Sequence, residues 1–143
     1  MIQSTLPGFT ALMSSGVYAI PTIESDTVSV VTNTTPTGPF RGAGRPEAAQ
    51  AIERAMDVFA AELGLDPAEV RRRNLFPPDA FPLTTASGAG YDSGDYGRAL
   101  DLALETAGYE ALRQEQERRR ESGDTRALGI GVSVYVEITN GLV

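Results

Sequence analysis

Apolar positions along the chain fall into two patterns, a helical one in the middle and an alternating one near the ends. Between Pro46 and Leu63, the residues Ile52, Met56, Phe59 and Leu63 recur at helical spacing, with Ala48, Ala55 and Ala60 alongside. Glu53, Arg54, Asp57 and Glu62 occupy other directions. The spacing predicts a long helix that buries Ile52, Met56, Phe59 and Leu63 on one stripe and stops at Gly64. A short second helix starts at Asp66-Pro67-Ala68-Glu69, with Asp66 as N-cap, Pro67 first inside and Glu69 placed for a capping box; Val70 and Leu75 are its apolar contacts. A third, over about 94–107, takes Asp92 or Ser93 as its cap, turns Tyr96, Leu100, Ala103 and Leu104 inward and stops at Gly108. A fourth runs from Tyr109 to about Glu121, and its second half is a solvated face.

The ends read as strands. Residues 16–23 and the β-branched run 27–32 are predicted to pair as a hairpin around Glu24-Ser25-Asp26, with Pro21 marking an edge or bend. In Ala127 to Thr139, Ile130, Val132, Val134, Val136 and Ile138 share one parity, which is strand alternation. Phe76 to Pro82 is proline-broken and extended, with Phe76 and Phe81 as packed anchors, and Ser87 to Tyr91 is loop. The fold class is therefore α+β: an N-terminal β-hairpin, a helical middle of about four helices and a C-terminal strand. A hairpin and a lone strand at opposite ends of a helical block suit one or more partial domains of a larger protein better than a small complete one.

Composition removes several kinds of chemistry. The chain has no cysteine and no histidine, which rules out disulfides, thiolate-held clusters, imidazole chemistry and most zinc sites within it. Net charge is −7, which argues against a nucleic-acid footprint. The triplet Arg71-Arg72-Arg73 fans around its helix, so pairing with the acidic helix before it is the expected role. No apolar run approaches the roughly 20 residues of a membrane span. Met1-Ile2-Gln3-Ser4 lacks the basic start of a signal peptide, and a cytoplasmic location is expected.

The stretch richest in chemistry lies where the β-branched run meets the long helix: Thr32-Asn33-Thr34-Thr35-Pro36-Thr37-Gly38-Pro39-Phe40-Arg41-Gly42-Ala43-Gly44-Arg45-Pro46-Glu47. Gly42 and Gly44 permit left-handed backbone and close approach to a ligand, while Pro46 and Glu47 suit a first helical turn. Amide groups gathered at such a helix start favour anionic oxygen. A Gly-x-Gly turn of this kind is also a common way simply to enter a helix. The second one, Gly88-Ala89-Gly90, opens no helix directly and is the weaker candidate.

The whole string, with Ile52-Glu53-Arg54 and Asp57, then 62–75, then Gly90-Tyr91-Asp92-Ser93-Gly94-Asp95-Tyr96 and Gly129-Ile130-Gly131, resembles the molybdopterin-binding large subunit of the xanthine dehydrogenase/aldehyde oxidase family, the molybdenum hydroxylases. The resemblance covers most of the chain and matches the central segment of a subunit several times longer. It implies that 1–125 is the end of a first molybdopterin-binding domain with its helical segment, and that 126–143 opens the following one. It implies hydroxylation of an aldehyde or N-heterocycle with oxygen taken from water, through a general base and a metal-bound nucleophile. The implied cofactor is molybdopterin, in the cytosine dinucleotide form, with molybdenum. The implied partners are the remainder of the subunit, FAD-binding and 2Fe-2S subunits, and a small-molecule substrate. Phe40, Arg41, Gly42 and Ala43 match the loop that packs on the molybdenum centre.

Two positions depart from particular branches of that family. Gly42 stands where carbon monoxide dehydrogenases carry a copper-binding cysteine, so a copper–molybdenum site is not expected. Ala43 stands where xanthine oxidases stack a phenylalanine on the purine, so purine specificity is not expected either. The family's upstream pterin loop and downstream glutamate base are outside this segment, and the isolated segment is expected to hold no cofactor and to be inactive. Two other readings compete: a cofactor-free interaction or assembly domain that keeps the scaffold, and a self-contained anion-binding α+β domain.

Overall fold

A computed structural model describes residues 6–35 and 38–138. Pro36 and Thr37 of the loop, the end of the terminal strand at Thr139, the residues after it and the first five residues lie outside the described part. The elements in order are α1 (Leu6–Leu12), α2 (Arg45–Leu63), α3 (Pro67–Asn74), a short 3-10 turn (Pro78–Ala80), β1 (Leu83–Thr84), β2 (Gly90–Tyr91), α4 (Tyr96–Ala107) and α5 (Tyr109–Glu121). The α+β class holds, and α2 to α5 are the helical middle expected from periodicity.

The strands are placed differently. Residues 16–32 form no hairpin. Ala19 instead donates to the Asn74 carbonyl at 2.8 Å and Phe76 to the Val17 carbonyl at 3.1 Å, so this segment pairs with the chain leaving α3. The antiparallel pair in the structure is β1–β2, with Leu83 opposite Tyr91 and Thr84 opposite Gly90. Residues 127–138 are extended, and their even-numbered side chains are half-buried while the odd ones are exposed, as alternation requires. They have no ladder partner among the described residues.

The predicted stripe on α2 needs correcting. Ala48, Glu53, Met56 and Ala60 are its buried residues, with Ile52 half-buried, whereas Phe59 and Leu63 are about half exposed. The stripe is rotated because Glu53 belongs to the core. Its carboxylate accepts the Tyr18 hydroxyl, Arg71 Nε at 2.8 Å and the Val134 amide at 3.2 Å. Arg71, fully buried on α3, also donates Nη2 to the Glu53 carbonyl at 3.0 Å and to Asp57 Oδ1 at 2.9 Å. Burial works against its charge, but the Glu53 and Asp57 carboxylates outweigh that and raise its pKa. Arg71 thus pairs with the acidic helix before it, as expected, while Arg72 and Arg73 pair with Glu69, and Arg72 also with Asp101. Breaking such a buried pair from one side costs about 3–5 kcal/mol, because the partner charge stays behind.

Around this pair Val17, Tyr18, Met56, Ala60 and Val70 form one apolar cluster, and Met13, Ala48, Ala89 and Tyr91 form a second. Val136 packs against both, which docks the 127–138 segment across the body. The N-cap of α3 is Asp66, as expected, accepting from Ala68 and Glu69. The N-cap of α4 is Asp95 rather than Asp92 or Ser93: it accepts the Arg98 amide at 3.0 Å, while Asp92 accepts the neighbouring Ser93 amide. Leu100 is the buried residue of α4, Tyr96 and Leu104 are half-buried, and Ala103 is exposed. Phe76 and Phe81 are packed edge-to-face with centroids 6.5 Å apart.

Candidate functional site

The start of α2 is built by three consecutive left-handed residues, Gly42 (φ 96), Ala43 (φ 47) and Gly44 (φ 92). The turn closes through Ala43 N–H to the Phe40 carbonyl at 2.8 Å and Arg45 N–H to the Gly42 carbonyl at 3.1 Å. Gly44 is the N-cap of α2 and provides no capping side chain; Pro46 and Glu47 sit in the first turn as the sequence indicates. The Gly44 carbonyl accepts from Ala48 N–H at 3.2 Å and from Thr10 Oγ1 of α1 at 2.9 Å. The amides of Arg41, Gly42, Gly44 and Glu47 find no acceptor among the described residues. That is a row of donors at the positive end of a 19-residue helix, an arrangement suited to anionic or carbonyl oxygen.

The four sequence-predicted residues do not behave alike. Phe40 and Arg41 are exposed, Phe40 at 88%, and Gly42 and Ala43 are half-buried. Phe40 and Ala43 line an open groove of about 1030 Å³ between the turn, α1 and the extended 27–32 limb; Arg41 and Gly42 do not line it. Thr10, Val28, Val30, Gly44 and Glu47 complete much of its wall. Thr10 and Val28 carried no signal in the sequence, because nothing local ties α1 or the limb to this turn.

Both glycines take the left-handed backbone expected of them, and the chain's own packing adds a second reason for glycine at each. A Cβ on Gly42 would come within 2.5 Å of Pro46 Cγ, and one on Gly44 within 2.7 Å of both the Leu6 carbonyl oxygen and Thr10 Oγ1. Both glycines are therefore required by the chain's own packing, and a bulky residue at Gly42 disturbs the segment itself before it reaches any ligand. What fits an oxygen-rich group at this turn is the set of free amides. Among the described residues no cluster of acidic side chains is arranged to hold a metal ion, and no helix is long and apolar enough to cross a membrane.

The chain matches the family model described as a molybdopterin cofactor-binding domain over residues 2–75. It is 41% identical to the carbon monoxide dehydrogenase large chain of Hydrogenophaga pseudoflava over 127 residues, 87% of this chain and 16% of that one. It is 37% identical to the nicotine 6-hydroxylase large subunit of Paenarthrobacter nicotinovorans, over 89% of this chain and 15% of that one. Among solved structures, quinoline 2-oxidoreductase from Pseudomonas putida 86 superposes with a TM-score of 0.74 at 35% identity, covering 82% of this chain and 15% of that one. The chain thus spans about one-sixth of the length of these relatives.

Proposed function

The chain belongs to the molybdopterin cofactor-binding domain family, and we propose that it is the piece of a molybdenum hydroxylase large subunit that lays the 40–44 turn against the cofactor. The observation that carries this reading is the row of amides at Arg41, Gly42, Gly44 and Glu47 that no described residue accepts. Phe40, Arg41, Gly42 and Ala43 are the cofactor-binding residues of the proposal, acting through main chain as much as side chain. When bound, the molybdopterin group supplies an activated oxygen derived from water and accepts the electrons of the oxidation. The chain's own contribution is to orient: fixed amide donors cost no reorganisation when charge develops nearby. The reaction proposed is oxidation of an aldehyde or an N-heterocycle, with the pterin in its cytosine dinucleotide form, in the cytoplasm.

The similarity to large subunits supports partners of three kinds: the remainder of the subunit, an FAD-binding subunit and a 2Fe-2S subunit. We place 126–143 at the start of a following molybdopterin-binding domain, a reading supported by an extended segment without a ladder partner among the described residues. Despite the likeness to a carbon monoxide dehydrogenase, carbon monoxide is not the proposed substrate, since the chain has no cysteine to hold copper. Ala43, in place of a stacking phenylalanine, weighs against a purine.

The experiment is substitution of Ala43 by Phe in the complete large subunit, with molybdenum content, subunit assembly and turnover measured together. Expected is an assembled complex that keeps its molybdenum, since relatives place phenylalanine here, but turns over its aldehyde or N-heterocycle more slowly; an assembled complex with turnover unchanged would overturn the reading. The isolated chain should carry no stoichiometric molybdenum. A second reading, a cofactor-free assembly domain, is favoured by Val28, Val30 and Val31, which are 83%, 74% and 99% exposed on the limb beside the turn. Under that reading Ala43→Phe changes assembly and the complete protein holds no molybdenum.

A further inference from the structure

Three distant parts of the chain meet at the Arg45 side chain. Its guanidinium carbon lies 5.4 Å from the centroid of the Phe9 ring on α1. Its Nη1 donates to the Gly42 carbonyl at 3.3 Å, and its Nε lies 3.2 Å from Glu137 Oε1. The Nε–H is buried without an aligned acceptor, so the Glu137 contact is a charge pair rather than a directed hydrogen bond. The two side chains are 18% and 41% exposed, which leaves the pair only partly screened. The Gly42 carbonyl consequently accepts twice from one residue, from the Arg45 amide and from its guanidinium.

Glu137 does not reach this place by local chain geometry. The 127–138 segment is docked by the Val134 amide on Glu53 and by Val134, Val136 and Ile138 packing on the two apolar clusters. Alternation then turns Glu137 to the opposite side from those residues. The partner of Arg45 thus lies outside the 2–75 span that matches the family model.

We propose that Glu137 and Arg45 form a clamp through which the 127–138 segment sets the geometry of the 41–44 turn, with Glu137 as a positioning residue for that turn. Three successive left-handed residues, one of them alanine, form a conformation that a short peptide seldom holds, so surrounding contacts must hold it. The turn has two internal backbone bonds and the Thr10 contact. The clamp adds a further restraint, applied to the Gly42 carbonyl that closes the turn. Loss of Glu137 leaves the guanidinium beside a ring and one carbonyl, and both the Arg45 rotamer and the Gly42 carbonyl are then free to move. The proposal goes beyond the cofactor reading, because it concerns the turn whatever oxygen group the turn receives.

Amide exchange read residue by residue in the 143-residue chain tests it, with Glu137→Gln, Arg45→Gln and the double variant compared. The protected amides of position 43 and position 45 are the probes. Expected is a two- to fivefold acceleration, about what a partly exposed ion pair can supply, at those two amides in each single variant, with no further gain in the double. The Leu100 and Leu104 amides of α4 should keep their rates. The Arg45 Nε resonance should also shift in Glu137→Gln, a signature that general loosening does not produce. Unchanged rates at positions 43 and 45, equal acceleration in α4, or additive single effects would each overturn the clamp. No cofactor enters these measurements, so their failure leaves the cofactor reading standing, and the failure of that reading leaves the clamp standing.

Discussion

The sequence Gly-Ala-Gly occurs twice, at 42–44 and at 88–90, and the structure uses the two copies for opposite ends. At 88–90 the turn closes a β-hairpin and satisfies itself. Gly88 N–H donates to the Thr85 carbonyl at 2.9 Å, Ala89 N–H to Thr85 Oγ1 at 3.0 Å, and Thr85 N–H to the Ala89 carbonyl at 2.8 Å. Ser87 anchors it to α1 by donating to the Leu12 carbonyl at 2.6 Å. At 42–44 the turn opens a helix and leaves amides over. One copy shows what a glycine turn looks like when it is scaffold alone; the other has scaffold glycines together with donors that no described residue accepts. A spacing motif cannot tell these apart, because the difference lies in what each amide faces.

The largest effect expected from this contrast is at Gly44. Alanine there takes on the strain of φ 92 and also drives its Cβ to 2.7 Å from the Leu6 carbonyl oxygen, which is backbone and cannot swing aside. Strain and overpacking together should cost about 2–5 kcal/mol in urea unfolding of the chain. A loss under about 1 kcal/mol would mean that α1 is not seated on this turn, and with it the contrast between the two copies would collapse.

Gly88→Ala should cost less, although its φ is nearly the same at 93. Its added Cβ meets only Leu12 Cδ1 at 3.9 Å, an ordinary contact. Strain alone remains, about 1–2 kcal/mol by the same unfolding measurement. If Gly88→Ala proved as costly as Gly44→Ala, steric fit would not be what separates the two turns.

What the sequence disclosed follows the range over which each feature is decided. The helices α2 to α5 were legible because spacing, caps and stop glycines are local; Gly64 and Gly108 both end their helices in left-handed conformation. The orientation of α2 was not, since Glu53 reads as a solvent residue until Arg71 and Tyr18 are brought to it from other parts of the chain. The same applies to the missing hairpin: the 27–32 run has strand propensity, but the pairing partner of 17–19 turned out to be the exit of α3. At the candidate site the turn and its glycines could be read directly. That their Cβ directions point at Pro46 and α1, and that Glu137 stands beside Arg45, are tertiary facts without a local trace.

The smallest effect, and the one with a change of sign, is at Gly90, the third residue of the second copy. Its φ is outside the left-handed region, it is exposed on β2 opposite Thr84, and an added Cβ meets nothing within 4 Å. Alanine there neither strains the native backbone nor displaces a neighbour. It does narrow the conformations open to the unfolded chain, and a glycine replaced where the native geometry allows it stabilises by about 0.4–1 kcal/mol. Gly90→Ala should therefore raise the urea midpoint slightly, while Gly44→Ala, at the matching place in the first copy, lowers it strongly. The pair isolates context from motif, since residue change and motif position are the same and only the backbone conformation and the surroundings differ. A destabilisation at Gly90 beyond about 1 kcal/mol would show that the hairpin turn is under restraint from outside itself, and the second copy could then no longer serve as the scaffold-only reference for the first.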